Sequence, residues 1–441
     1  MAILSPSPVP SPVLSDLMRF LEASPTPYHA VESAQRRLTA AGFQAISEQA
    51  DWSRLAPGKY HFVRGDSALV AFVVPQEQAL AARLVGAHTD SPNLRLKSKT
   101  AWSKEGYLQL GAEPYGGVLL SSWLDRDLAL AGRVIVRTEH GTETRLVRLN
   151  NVLVRVPQLA IHLDREVNER GLVLNKQEHL HPVLGLGDGE RAKTLLEALC
   201  AEAAGVSPGQ VVQHELMLFD TTPPALGGLN KEFIYSSRLD NLAMCHAAVT
   251  ALIACGDSPA ANTIPLVVLF DHEEVGSESA YGAGSPLLAN VLERLVSSQG
   301  GRREDFLRLI TRSVCVSADM GHAVHPNYAD RHDARHRPVL NGGPVIKINT
   351  QQRYATCVHT AAMFANVCQE ASIPVQYYAH RSDLPCGSTI GPITAAQLGI
   401  RTVDIGNPML SMHSIREMGG SQDPIWMTQA LQAFFTRARL L

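Results

Sequence analysis

The segment Gly86-Ala87-His88-Thr89-Asp90-Ser91-Pro92 sets an imidazole two residues ahead of a carboxylate. Imidazole is a common zinc ligand, and a carboxylate can hydrogen-bond its other ring nitrogen and fix the tautomer. Asp90 is spaced to do this for His88, although a surface His-Thr-Asp turn has the same sequence. Asp271-His272-Glu273-Glu274-Val275-Gly276 places two adjacent glutamates behind an apolar run. Neighbouring carboxylates repel unless a cation or proton sits nearby. Two metal ions would relieve that repulsion, with one glutamate binding metal and the other accepting a proton from activated water. A solvated acidic turn opening a helix, favoured by the helix dipole, is the competing explanation.

Three further residues extend the set. Asp240, in Ser237-Arg238-Leu239-Asp240-Asn241-Leu242, precedes an Ala-rich helical stretch and reads either as an N-cap or as a carboxylate bridging two metals. Asp319, in Ser317-Ala318-Asp319-Met320-Gly321-His322, is either a strand-end ligand or a turn residue. His413, in Ser411-Met412-His413-Ser414-Ile415-Arg416-Glu417, supplies a second imidazole, though a lone histidine is more often structural. Taken together, His88, Asp240, Glu274, Asp319 and His413 are as many ligands as two three-ligand sites sharing one aspartate require, with Glu273 left over as a base. Such mixed ligation suits zinc, with cobalt or manganese as alternatives.

These residues need elements to position them. Arg83–Ala87 leads into His88, Leu266–Phe270 into Asp271, Val314–Ala318 into Asp319, and Arg401–Ile405 through Gly406-Asn407-Pro408 towards His413. Short apolar runs bounded by turn residues are buried-strand candidates, and α/β sheets gather ligands at the carboxyl ends of their strands. The alternation of such runs with helix-length segments predicts α/β architecture. Near the N-terminus, residues 5–13 form a Ser/Pro lead-in, followed by predicted helices over Ser15–Ala23 and Tyr28–Ala41. In the second, Val31, Ala34 and Leu38 share one face. Residues 98–230 differ in character. Arg133–Arg137 and Glu143–Leu149 alternate apolar and polar residues around a turn at His140-Gly141, as in a hairpin, and Val152–Val156 predicts another strand. This block reads as a β-rich insertion.

The chain has 441 residues, 45% of them hydrophobic and 18% charged, with a formal net charge of −3. That balance is globular and offers no general attraction to nucleic acid or an anionic membrane. The seven cysteines are scattered without a CxxC pair, which fits a reducing compartment. The N-terminus lacks the pattern of a secretory signal and no long apolar run predicts a membrane span, so the cytoplasm is the expected location.

On these motifs the chain resembles the aspartyl aminopeptidase family, a branch of the co-catalytic metalloaminopeptidases. The resemblance runs from Pro27-Tyr28-His29-Ala30-Val31 to His413-Ser414-Ile415-Arg416-Glu417. It is most specific at Ala323–Tyr328, at Gly343-Pro344-Val345-Ile346-Lys347 and at Asp383–Pro392. It implies one metal held by His88, Asp240 and Asp319 and another by Asp240, Glu274 and His413. Glu273 would be the general base and Asp90 the carboxylate orienting His88. Lys347 would pair with an acidic side chain on the substrate's first residue, where a strand lysine with its head in solvent is the alternative.

The resemblance also implies that His162 enters a neighbouring subunit's active site, as a substrate contact or metal neighbour. His322 and His325 would contact substrate or order a loop. The implied architecture is a mixed-sheet metallopeptidase domain (1–97 and 231–441) with helices on both faces, interrupted by a dimerisation domain (98–230). The implied assembly is a homo-oligomer, often a dodecamer, built from dimers and acting on peptides with a free N-terminus.

Other chemistries lack their signatures. His272-Glu273-Glu274-Val275-Gly276 has no second histidine for a zincin helix, and no GxSxG elbow or Walker loop occurs. Gly185-Leu186-Gly187-Asp188-Gly189 lacks dinucleotide-loop spacing and predicts a flexible turn. The competing functions are a dipeptidase or broad-specificity two-metal exopeptidase, and a catalytically silent scaffold.

Overall fold

The computed structural model describes residues 11–256 and 258–440. Most of the Ser/Pro lead-in lies outside the described residues, but its end is already helical. Ser11 accepts a hydrogen bond from the Leu14 amide at 3.1 Å, and Pro12 opens the helix Pro12–Ala23. A hydroxyl cap followed by proline is a favoured helix start, which is why this helix begins earlier than apolar periodicity alone suggests. The next helix, Pro27–Ala40, starts in the same way behind Thr26 and buries Val31, Ala34 and Leu38.

The four apolar runs are neighbouring strands. Thr263–Phe270, Ala81–His88, Val314–Ala318 and Arg401–Gly406 lie side by side and parallel within a nine-stranded sheet. Antiparallel strands flank them, Ala68–Val74 on one side and Val345–Ile348 on the other, so the sheet is mixed. Alternation along the strands feeds two cores. Val85, Ala87, Val267 and Leu269 pack with the helices Leu239–Cys255 and Asp423–Thr436 on one face. Leu84, Leu266, Val268 and Phe270 meet the helices Leu287–Ser298 and Arg303–Arg312 on the other. Helices therefore cover both faces, and the parallel strands deliver His88, Asp271 and Asp319 to one edge.

A second, six-stranded sheet is antiparallel throughout and takes its strands from Asn93–Lys104 to Val211–Asp220. The predicted hairpin is its pair Leu128–Thr138 and Gly141–Val154, with Thr138 opposite Gly141. Val152 does not begin a new strand: the second arm runs through it to Val154 after an irregularity in register. The glycine cluster is not a free turn either. Gly185 and Leu186 end an edge strand, and Asp188 caps the helix Gly189–Ala204 by accepting from the Arg191 amide at 3.0 Å. A third sheet of five short strands joins Ala225–Gly227, Phe233–Ser236, Glu417–Gly420, Pro408–Leu410 and Gly321–His322. Among the described residues no helix is long and apolar enough to cross a membrane.

Asp16 ties three helices together. Its carboxylate accepts from Arg37 of the second helix at 3.1 Å and meets His246 Nε2 of Leu239–Cys255 at 2.9 Å. The His246 hydrogen bond, against burial and with Arg37 assisting, holds its carboxyl well below the usual range. A depressed folded-state pKa contributes stability above the unfolded value, near 3.9, and loses it as pH falls. We expect Asp16→Asn to lower stability at pH 7 by about 1–2 kcal/mol, discounted for partial exposure. Denaturation curves should show the gap to wild type shrinking between pH 5 and pH 3; a constant gap would assign Asp16 a packing role alone.

Candidate metal centre

His88 closes its strand at the sheet edge and is buried. Its Nδ1 meets the Asp90 backbone carbonyl at 2.9 Å and the Asp90 carboxylate only at 3.4 Å. The carbonyl is therefore the closer orienting group. The Asp90 carboxylate accepts from the Tyr115 hydroxyl at 2.6 Å and from the amides of Glu273 and Glu274 at 3.1 and 3.0 Å. On the other side of the ring, His88 Nε2 lies 3.5 Å from Asp240, 3.4 Å from Asp319 and 3.9 Å from Glu273. His413 Nε2 lies 3.3 Å from both Asp240 and Glu274. Donor atoms of His88, Asp240 and Asp319 fall within 4.8 Å of one another, as do those of Asp240, Glu274 and His413.

The competing explanations for these residues can be weighed locally. Asp240 does not act as an N-cap: it and Asn241 are non-helical at the head of Leu239–Cys255, no side-chain cap hydrogen bond forms there, and Asp240 Oδ1 finds no donor among the described residues. Glu273 and Glu274 do not open an α-helix, because they form the short 3₁₀ turn Glu273–Val275 and the next helix starts at Leu287. His413 sits in a loop at φ 66°, a left-handed conformation uncommon for residues with a Cβ. Its Nδ1 is 3.0 Å from the Gly117 carbonyl, which leaves Nε2 turned to the carboxylates.

The crowding of carboxylates and imidazoles governs their protonation. Burial pushes Glu273 well above the usual carboxyl range, with Asp319 and Glu274 adding to it. Burial likewise takes Glu274 to about 7. Against burial, the neighbouring Asp240 and Glu274 carboxylates raise His413 to about 11, and those of Asp240 and Asp319 raise His88. Protons thus offset the carboxylates when nothing else does. Asp240 Oδ1 and Glu274 Oε1 are buried without a donor among the described residues. A donor set of imidazole nitrogens and unpaired carboxylate oxygens fits divalent zinc and related cations.

A cavity of about 380 Å³ opens over the cluster, lined among others by Glu273, Asp319, Lys347, His322 and Tyr354. Lys347 is buried, not solvated: its Nζ donates to Asp319 at 3.2 Å and to the Met320 carbonyl at 2.7 Å. His322 lies exposed on the rim, yet the surrounding protein and the Lys347 charge hold its pKa down to about 4. His325 is not among the lining residues; its Nδ1 accepts from the Asn327 amide at 3.2 Å and its ring packs on Tyr328. Nor is His162, which stands exposed on the 3₁₀ turn Ile161–Leu163.

Sequence reasoning missed Tyr115, Gly117 and Glu417. Tyr115 and Gly117 reach cluster residues from distant segments, while Glu417, four residues from His413, also reaches Asp240 from far along the chain.

The profile of the family described as aminopeptidase I zinc metalloprotease (M18) matches residues 20–435. The chain is 50% identical over 422 residues to a probable M18 family aminopeptidase 2 of Streptomyces coelicolor, covering 95% of this chain and 96% of that protein. Among solved structures, it superposes with a TM-score of 0.92 on a chain of the Ape4 and Nbr1 complex. That match has 40% identity and covers 96% of this chain and 85% of the other. The S. cerevesiae mApe1 dodecamer gives a TM-score of 0.85 at 29% identity, covering 97% of each chain.

Chelation should lower the melting temperature and added zinc should restore it, each site adding about 2.7 kcal/mol of folding stability at a hundredfold excess over Kd. Calorimetry on chelated and zinc-loaded protein checks this. A melting temperature indifferent to both treatments would mean the cluster holds no cation.

Proposed function

The chain belongs to the aminopeptidase I zinc metalloprotease (M18) family of metal-dependent aminopeptidases, and from that premise we propose that it releases N-terminal residues, preferentially Asp and Glu, using two metal ions. The observation that carries the reading is the position of Asp240, whose Oδ1 faces His88 at 3.5 Å and whose Oδ2 faces His413 at 3.3 Å. One ion would sit among His88, Asp240 and Asp319, the other among Asp240, Glu274 and His413. Zinc is the first expectation, with cobalt or manganese as alternatives. The ions would supply Lewis acidity, polarising the scissile carbonyl and lowering the pKa of water.

The protein's own groups do the rest. Glu273 borders the cavity with its carboxyl pushed up, which suits a group that accepts a proton and returns it to the leaving amine. Asp90, through the Glu273 amide, holds that segment in place. Lys347 uses two of its three donors on Asp319 and Met320, leaving one for an acidic side chain in the cavity. A broader-specificity exopeptidase is the second reading, favoured by the same observation, since Lys347 is already paired. His322 on the rim is suited to contacting substrate, while the Asn327 bond suits His325 to ordering its loop.

We assign residues 98–230 to a dimerisation domain and His162 to the active site of a neighbouring subunit. Support comes from the apolar residues exposed around it, Leu159 at 64%, Leu163 at 74% and Val173 at 81%, since such patches mark association surfaces. The similarity to a dodecamer supports an assembly of that size. The seven scattered cysteines fit a reducing compartment such as the cytoplasm.

Glu273→Gln should keep wild-type metal content while turnover falls by roughly 10²-fold or more; undiminished turnover would remove its assigned role. Peptides beginning with Asp, Glu, Leu or Ala, assayed with chelator and with each metal, test the specificity. Metal-dependent release of Asp and Glu alone is expected. Equal release of Leu or Ala would retain the metal chemistry and discard the acidic preference, and no release under any condition would favour a silent scaffold. In Lys347→Ala the ratio of Asp to Leu hydrolysis should fall, and an unchanged ratio would refute the pairing.

A further inference from the structure

Glu417 is a buried carboxylate, 2% exposed, that the proposed chemistry does not use. It opens the strand Glu417–Gly420 opposite Ser236 of Phe233–Ser236, which brings it beneath the turn that carries Asp240. Its Oε2 accepts the Asp240 amide at 3.2 Å and its Oε1 accepts the His413 amide at 2.8 Å. No ion pair reaches it among the described residues. A carboxylate without a cation is costly to bury unless both oxygens are hydrogen-bonded, and here both partners are main-chain amides of cluster residues.

The second partner needs holding. His413 has φ 66°, and its backbone is fixed at two points: its carbonyl accepts from the Leu119 amide at 3.1 Å, and its amide donates to Glu417. Of these two bonds, only the one to Glu417 leads to a group that also holds Asp240. Leu119 and Gly117, which fix the rest of His413, come from the other side, next to the six-stranded sheet.

We propose that Glu417 is a positioning residue, one carboxylate spanning two amides so that Asp240 and His413 keep the spacing a shared metal ion requires. The inference rests on the two-metal reading and adds to it the group that sets the geometry of one of the two ligand sets. Asp90 does the matching work for Glu273 and Glu274, whose amides it accepts at 3.1 and 3.0 Å.

A structural role alone can be separated from this one, because the chain carries a matched control. Asp423 is also fully buried and also accepts two backbone amides, those of Asn341 at 2.7 Å and Gly343 at 2.9 Å, neither belonging to the cluster. Glu417→Gln keeps size and one acceptor oxygen but turns an NH₂ towards one amide. Zinc titration of the chelated protein should show two ions in wild type, and in Glu417→Gln one of them bound about 10–100-fold more weakly. kcat should fall at limiting zinc, recover in excess zinc, and leave KM unchanged. Asp423→Asn should lose thermal stability with both zinc affinities intact. Glu417→Asp, one methylene shorter, is read in the same titration if the glutamine variant does not fold. Two ions bound with wild-type affinity in the Glu417 variants would overturn the inference alone, as would an equal affinity loss in Asp423→Asn. Fewer than two ions in wild type would overturn the two-metal reading with it.

Discussion

Asp90, Asp240, Glu273, Glu274 and Asp319 converge with His88 and His413 at one edge of the central sheet, where His88, Asp90, Asp240 and Asp319 are buried. Carboxylates this close, in a medium that screens poorly, persist only if protons, cations or oriented amides offset them. The offsets are not distributed evenly. Asp90 accepts amides and the Tyr115 hydroxyl, and Glu417 behind the cluster accepts amides. Asp240 Oδ1 and Glu274 Oε1 have no donor among the described residues. The division separates carboxylates that hold backbone from carboxylates left open to a cation, and it arises from which oxygens the main chain can reach.

That constraint explains why three sheets meet at this point. The nine-stranded sheet supplies His88, Glu273, Glu274 and Asp319 from adjacent strand ends. The five-stranded sheet supplies Glu417, and its loop after Leu410 carries His413. The last strand residue before the Gly116-Gly117 turn of the six-stranded sheet is Tyr115, whose hydroxyl reaches Asp90. Gly116 itself packs so closely on Glu274 that a Cβ there would lie 3.0 Å from the Glu274 Cβ, and its φ is 73°. A side chain at that position would press directly on the cluster. The strand Tyr107–Tyr115 is thus mechanically continuous with the site through Tyr115 and Gly116.

How much of this was legible follows from the range of the interactions. The strands ending at His88, Phe270 and Ala318 were readable because each is a short apolar run followed at once by a polar residue, a purely local pattern. The Val31, Ala34 and Leu38 stripe was local too, and only the proline starts of its helix and the one before were misjudged. The five-stranded sheet was invisible: its strands are two to four residues long, as in Gly321–His322 and Glu417–Gly420, too short for alternation to register. Tyr115 has its partner only when those sheets assemble, and Glu417, although four residues from His413, meets Asp240 only then. Asp240 reads either as a cap or as a bridging ligand, because an Asp at the head of a helical stretch is commonly a cap. Only the non-helical backbone at Asp240 and Asn241, which no residue-type rule anticipates, turns its carboxylate away from the helix amides.

In the proposed reading, Lys347 would link specificity to metal binding through Asp319. One oxygen of Asp319 faces His88 at 3.4 Å and the other accepts from Lys347 at 3.2 Å. The ammonium is buried and is held by Asp319 and the Met320 carbonyl, so its position in the cavity is set by a residue proposed to hold metal. An acidic substrate side chain would meet an ammonium already half neutralised by Asp319, and a metal ion drawing on Asp319 would return charge to that ammonium. Loading of the metal site would then strengthen the attraction for an acidic residue, and a neutral residue would gain nothing from it. On this argument the proposed acidic preference would be a property of the loaded site and not of the lysine alone, which a lysine in a strand pattern could not announce.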